Sequence, residues 1–228
     1  MTRNVRLTVV LAAVALGVAW DSSALPIGQD EAFNNTDWTS VVTLGSPSSF
    51  VNGQVAAGGN PGAYRQTDVT AGSTINSTHI SSAITWDPST QGALTILHFS
   101  FDGNYLSASP AVPIDLEPIL RQGGVIFAPN FDATPPPSLG GGWQNLQSSP
   151  LGQANFIDSS SFGGTGTLQP DFSATGGLIE FGYALGFGPG SFTTSAGIDN
   201  YLVAPEPTTI WLLASGLVGL AFWRPQRT

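Results

Sequence analysis

The chain has 228 residues, a formal net charge of −9, no Cys, and six basic residues that are all Arg. Without Cys it has no disulfide, no thiol chemistry and no Cys-based zinc site. Residues 25–204 carry two arginines against thirteen acids, a net charge of −11, so this stretch repels phosphate backbones and nucleic acid is not its partner.

At the N-terminus, Arg3 and Arg6 precede an apolar run, Leu7 to Trp20, and the small residues Ser22-Ser23-Ala24 follow. A basic start, an apolar core and a small-residue site predict a secretory signal peptide over residues 1–24, a signal helix cut by signal peptidase before Leu25. A permanent N-terminal anchor is the alternative.

From residue 25 to 203 the pattern predicts one all-β domain. Gly (28) and Pro (17) are frequent in the chain, and no long helical period interrupts the segment. Short β-rich runs alternate with turn signals such as Asn52-Gly53, Asp87-Pro88 and Pro189-Gly190. The expected strands are Val41–Leu44, Tyr64–Val69, Leu94–Phe101 (ended by Asp102-Gly103), Gly124–Ala128, Leu178–Phe187 and Ile198–Val203. In Leu178–Phe187 the residues Ile179, Phe181, Tyr183, Leu185 and Phe187 fall on one face, and Glu180, Gly182, Ala184 and Gly186 on the other. Ala133–Gly142, with three consecutive prolines and three consecutive glycines, reads as a loop. Many short strands with Gly/Pro turns indicate an antiparallel, jelly-roll-like β-sandwich.

Two motifs stand out. Gly58-Gly59-Asn60-Pro61-Gly62-Ala63-Tyr64 forces a tight turn into a strand, and Gly197-Ile198-Asp199-Asn200-Tyr201 puts an Asp and an Asn on the last strand. Together they resemble laminin-IV-like and carbohydrate-binding-module-like jelly rolls. That resemblance implies a glycan-binding domain and, in some members, a structural calcium. The candidate glycan contacts are Trp143, which follows three glycines on a loop, and Tyr64. The candidate calcium ligands are Asp199 and Asp68, with Asp30 and Glu31 nearby if the domain's ends pair; otherwise Asp199 serves backbone amides.

Catalysis has a weaker footing. Only His79 and His98 are available, no Gly-x-Ser-x-Gly elbow occurs, and no phosphate-binding or dinucleotide fingerprint is present. A glycosidase would need two facing carboxylates, for which Glu117 and Glu180 are the pair to watch. No catalytic residue is assigned; the alternative reading is a secreted or membrane-anchored hydrolase acting on polysaccharide.

The C-terminus reads Pro205-Glu206-Pro207, then an uncharged apolar run from Ile210 to Trp223, then Arg224-Pro225-Gln226-Arg227-Thr228. A single membrane helix over about 208–223 is shorter than the ~20 residues of a full crossing, with Trp211 and Trp223 at the two interfaces. The basic end places itself in the cytoplasm. Alternatives are a buried core helix or a lipid-anchor signal of the GPI type. This three-part segment, residues 204–228, resembles the PEP-CTERM sorting signal of Gram-negative bacteria, although Pro225 splits its basic end. The resemblance implies processing by an exosortase-type membrane protease. It also implies an inner-membrane stage, delivery to the cell surface or matrix, and a link to exopolysaccharide and biofilm. Permanent anchoring is the other fate. The expected role is binding or structural, with polysaccharide as partner.

Overall fold

The computed structural model describes residues 25–159 and 166–205. Its strands are β1 (Gly28–Asp30), β2 (Trp38–Leu44), β3 (Ser49–Gly59), β4 (Gly62–Ala71), β5 (Ile75–Trp86), β6 (Ile96–Ser109) and β7 (Ile114–Gln122). They continue with β8 (Val125–Pro129), β9 (Gln144–Gln147), β10 (Leu151–Gly152), β11 (Phe156–Asp158), β12 (Ile179–Phe187) and β13 (Phe192–Pro205). One short helix, α1 (Pro88–Gln91), is capped by Asp87, whose carboxylate accepts from the Ser89 amide at 3.0 Å.

The strands form two antiparallel sheets packed face to face. Sheet A runs β10-β6-β13-β4-β3, with β1 also on β13 and β9 also on β6; sheet B runs β11-β8-β7-β12-β5-β2. The all-β antiparallel sandwich expected from the sequence is therefore observed. The signal helix (1–24) and the C-terminal helix (208–223) lie outside the described residues. Among the described residues no helix is long and apolar enough to cross a membrane.

The core lies between the sheets and follows the two-residue period. On β12 the side chains of Ile179, Phe181, Tyr183, Leu185 and Phe187 are all at most 1% exposed, as the alternation predicts. Phe192, Ala196 and Ile198 of β13 and Phe99 and Phe101 of β6 belong to the same core from sheet A, together with Phe156 of β11 and the loop residue Phe172. Each large side chain buried this way contributes about 2–3 kcal/mol of transfer free energy.

The structure corrects two readings. Asn52-Gly53 is not a turn: it lies within β3, in register with Thr67 and Gln66 of β4. Asp102-Gly103 does not end the run begun at Ile96; β6 passes through it to Ser109. Gly103 is there for packing: a Cβ would lie 2.7 Å from Leu146 and 3.3 Å from Leu116. Two strands carry atypical sequences. β7 contains Pro118, which pairs with Tyr183 of β12, while its pairing to β8 begins only at Leu120. The missing N–H therefore faces a side with no ladder partner. β5 turns Ser77, His79 and Ser81 toward the core and leaves Ile80 on the outer face, which inverts the usual alternation.

Candidate functional site

The two sequence motifs, remote along the chain, meet on sheet A. In β4 the alternation sends Arg65, Thr67 and Val69 inward and Tyr64, Gln66 and Asp68 outward. The outward three are bonded in series. Tyr64 Oη donates to Gln66 Oε1 (2.7 Å), and Gln66 Nε2 donates to both Asp68 carboxylate oxygens (2.9 and 3.0 Å). Burial, and then the Asp68 charge, raise the Tyr64 hydroxyl above its ordinary value.

Trp143 closes this strip at one end. Its indole Nε1 donates to Gly58 O at 2.9 Å, and its ring meets Tyr64 edge-on, with centroids 5.2 Å apart at 75°. The two residues singled out as glycan contacts are thus in contact with each other. Tyr64 is 8% exposed, whereas Trp143 is half-buried and offers the accessible surface. Gly197 makes this possible. It lies in register with Gln66 and Asn104, and a Cβ there would come within 2.9 Å of Trp143 and 3.1 Å of Tyr64. Gly197 heads its sequence motif, but this packing role and that of Gln66 are not visible there, because they depend on the pairing of β4, β13 and β6.

Next to the strip, the turn between β3 and β4 is pinned onto sheet A. Asp199 is fully buried; one carboxylate oxygen accepts the backbone N–H of Asn60, and the other accepts that of Asn200 at 2.7 Å. Asp102, 5% exposed, pairs in register with Asp199. It accepts amide hydrogens from Asn145 (3.0 Å), Asn60 (3.1 Å) and Asn200 (2.7 Å). Asn200 also donates to Asn60 O and adopts φ 50°, a left-handed conformation that Asn tolerates better than most residues. Burial raises the Asp199 carboxyl, the Asn60 and Asn200 amides oppose this, and the Asp102 and Glu31 charges add to it.

Asp199 accepts two backbone amides, an arrangement that one of the two readings of its motif describes. Asp68 lies further along, opposite Ser195, and the two share no hydrogen-bond partner among the described residues. The ends of the domain do pair, through β1 and β13, but Asp30 is occupied by the Ala32 and Phe33 amides and by Trp38 Nε1. Among the described residues no group of three or more His, Asp or Glu side chains is disposed to hold a metal ion.

The catalytic pair does not form. Glu180 binds Arg121 through two hydrogen bonds (2.5 and 2.7 Å), opposite it on β7. Glu117 stands opposite Ala184, four positions along β12, on the order of 13 Å away at ~3.3 Å per residue. That is wider than the ~5–9.5 Å that glycoside hydrolysis uses. Glu117 is 7% exposed and instead accepts the Ala133 amide. His79 is fully buried between the hydroxyls of Ser40 (2.8 Å) and Ser77 (3.1 Å), stacked on Tyr183, and among the described residues no carboxylate bonds to it. His98 lies on β6 opposite Ala204 of β13.

The last strand ends at Pro205, where the Pro-Glu-Pro segment begins. The PEP-CTERM protein-sorting motif matches residues 203–227. The chain carries a PEP-CTERM sorting motif. Its Pro205, Glu206 and Pro207 are the tripeptide that gives the motif its name, and such a motif belongs to an exported protein sorted to the cell envelope. No curated protein sequence matches the chain.

Solved structures similar to this PEP-CTERM chain are carbohydrate-binding-module β-sandwiches. One is a family 11 carbohydrate-binding module from Clostridium thermocellum in complex with a β-1,3-1,4-mixed-linked tetrasaccharide. It has 15% identity over 80% of this chain and 95% of that one, with a TM-score of 0.42. Another contains the CBM22-1 and GH10 modules of the N-terminal endo-1,4-β-D-xylanase 10B from the same organism, complexed with xylohexaose (8% identity, 82% of this chain, 29% of that chain, TM-score 0.47). A third is a mannan-recognising carbohydrate-binding module (10% identity, 79% and 97% coverage, TM-score 0.40). None of these likenesses bears on the ligand of the present chain.

Proposed function

We propose that the protein is exported by its signal peptide, sorted through the PEP-CTERM motif by an exosortase-type membrane protease, and displayed at the cell surface or in the matrix. There its sandwich binds a neutral polysaccharide on the outer face of sheet A, as a binding or structural component of exopolysaccharide and biofilm. The observation that supports the binding is the half-buried Trp143, held by Gly58 and Tyr64 at the end of the Gln66–Asp68 strip. An indole beside amide and carboxylate groups suits a sugar ring, with its apolar C–H face on the aromatic and its hydroxyls on the polar groups. The net charge of −11 in residues 25–204 disfavours polyanions, so the favoured ligand is uncharged. The proposal assigns no catalytic residue and requires no metal.

Two experiments test it. Mass spectrometry of the native protein is expected to find its C-terminus near Pro205; an intact Arg227-Thr228 end on the surface form would reject processing. Gel retardation of the purified protein against a panel of polysaccharides is expected to show neutral glycans binding ahead of acidic ones. Retardation by none, or by acidic glycans first, would reject the ligand class.

A further inference from the structure

The first and last described residues of the domain lie at the same end of the sandwich. β1 pairs with the last residues of β13, with Gly28 opposite Val203, and the Ile27 N–H donates to Val203 O at 2.8 Å. The loops at this end are residues 88–95, which include α1, the 122–125 turn between β7 and β8, and residues 172–178 before β12. They are bonded to one another. The Leu94 N–H donates to Phe172 O (2.9 Å), and Gln122 Nε2 donates to Asp171 O and Gly177 O (2.8 Å each). Leu25 (87% exposed), Leu178 (52%) and Val125 (37%) present apolar surface here. None of the segments 25–27, 88–95, 122–125 and 172–178 contains a charged residue. The loops at the opposite end, 45–48, 72–74, 109–113 and 188–191, are uncharged too, but they hold no exposed large apolar side chain.

Chain length separates the two ends. β13 stops at Pro205, and the apolar run begins at Ile210. Residues 206–209 between them span at most about 14 Å. The headgroup layer of one leaflet takes about 5–8 Å of that. With the run in a bilayer, as the sorting proposed above, on which this rests, requires, this end of the sandwich stays within about 10 Å of the headgroups. We propose that it is a membrane-docking surface, whose Leu25, Val125 and Leu178 enter the headgroup–acyl boundary of zwitterionic lipid while the C-terminal run is in the bilayer. Apolar side chains on uncharged loops leave water there without burying a charge. The nearest acids are already engaged. Asp87 and Asp171 flank the loops and accept the amides of Ser89 (3.0 Å) and Ser173 (2.9 Å), and Glu180 is paired with Arg121. The net charge of −11 over residues 25–204 repels an anionic surface, which selects the zwitterionic one. Docking holds Pro205-Glu206-Pro207 at the membrane surface, within reach of a membrane protease.

Because the chain has no Cys, a single fluorophore can be placed at will. The purified full chain carrying Ala174→Cys, an exposed position in the 172–178 loop, is labelled and reconstituted into phosphatidylcholine vesicles. It is expected to lose most of its fluorescence when the lipid carries a headgroup-level quencher. A label at Val51→Cys is expected to keep its fluorescence; Val51 stands opposite Asp68, which pairs with Ser195, about 30 Å along β13 from Pro205. A longer linker distinguishes docking from tethering. With about eight Gly and Ser residues inserted between Pro207 and Thr208, which adds roughly 25 Å of reach, quenching of the Ala174→Cys label is expected to persist. Adding Leu178→Asp to the lengthened chain is expected to abolish it. Equal quenching at the two positions, no quenching of the loop label, or its loss on lengthening alone would overturn the docking while the sorting still stands. So would quenching that survives Leu178→Asp in the lengthened chain. A chain that fails to float with the vesicles would reject the membrane helix itself, and the docking with it.

Discussion

The stability of the domain is expected to fall as the pH rises above about 6.5 and, separately, as it drops below about 4.5. Glu117 supplies the alkaline limb. Burial, foremost, with the Asp132 and Asp115 charges, raises its carboxyl from 4.5 to about 8 against the opposing amides of Ala133 and Thr134. The folded state keeps a proton that the unfolded state releases, so this contribution is complete below pH 4.5 and is lost as the pH rises through about 8.

His79 supplies the acid limb. Burial, and then the Arg65 charge, lower its imidazole from 6.5 to about 3. The folded state refuses a proton that the unfolded state takes, so this contribution is complete above pH 6.5 and is lost as the pH falls through about 3. Between pH 4.5 and 6.5 the two slopes oppose each other; from 6.5 to about 8 Glu117 acts alone, and from 4.5 down to about 3 His79 acts alone, at up to about 1.4 kcal/mol per pH unit. From pH 6.5 to 8 that amounts to a loss on the order of 2 kcal/mol. Asp115 and Asp199, also raised by burial, act in the same direction as Glu117. Urea unfolding across this range checks the assignment. Glu117→Gln should flatten the alkaline limb and leave the acid limb; an alkaline slope unchanged by that substitution would reject it.

Asp102→Ala is expected to be the most damaging single change at the site. Asp102 receives amide hydrogens from Asn60, Asn145 and Asn200, which belong to three separate parts of the chain. Removing an acceptor costs about 1 kcal/mol or more for each partly buried donor left unpaired, so the loss is on the order of 3 kcal/mol. At roughly 2–4 °C per kcal/mol for a domain of this size, the melting temperature should drop by about 6–12 °C. The turn carrying Gly58 is then less firmly held, and Gly58 O is the anchor of the Trp143 indole. Glycan affinity should therefore weaken although Asp102 contacts no ligand. A thermal scan showing an unchanged midpoint would contradict this account of the network.

The parts legible in the sequence were those governed by local rules. The period of two on β12 placed five side chains in the core because β12 is a central strand of sheet B, flanked by β7 and β5, with one face turned to the sandwich interior. The Gly-Asn-Pro-Gly turn and the Ile-Asp-Asn strand were visible because each demands special backbone or side-chain chemistry. Asp102 was not visible as their partner. Its role depends on β6 lying beside β13, a pairing of segments about a hundred residues apart that no local pattern encodes. β5 was hidden for the opposite reason. Its polar Ser77 and His79 face inward, toward the cluster around Arg65, so a rule that sends apolar residues inside misreads it. Whether Glu117 and Glu180 converge could not be read from sequence, which shows which carboxylates exist; register alone shows that four strand positions separate them.

The central claim is that Trp143 binds a neutral polysaccharide on the face of sheet A. Its most direct test is the affinity of the purified protein for the glycan that retards it most, compared with that of Trp143→Ala. The account predicts at least a tenfold weaker affinity, about 1.4 kcal/mol, with the melting temperature nearly unchanged. Equal affinity in the two proteins would contradict it.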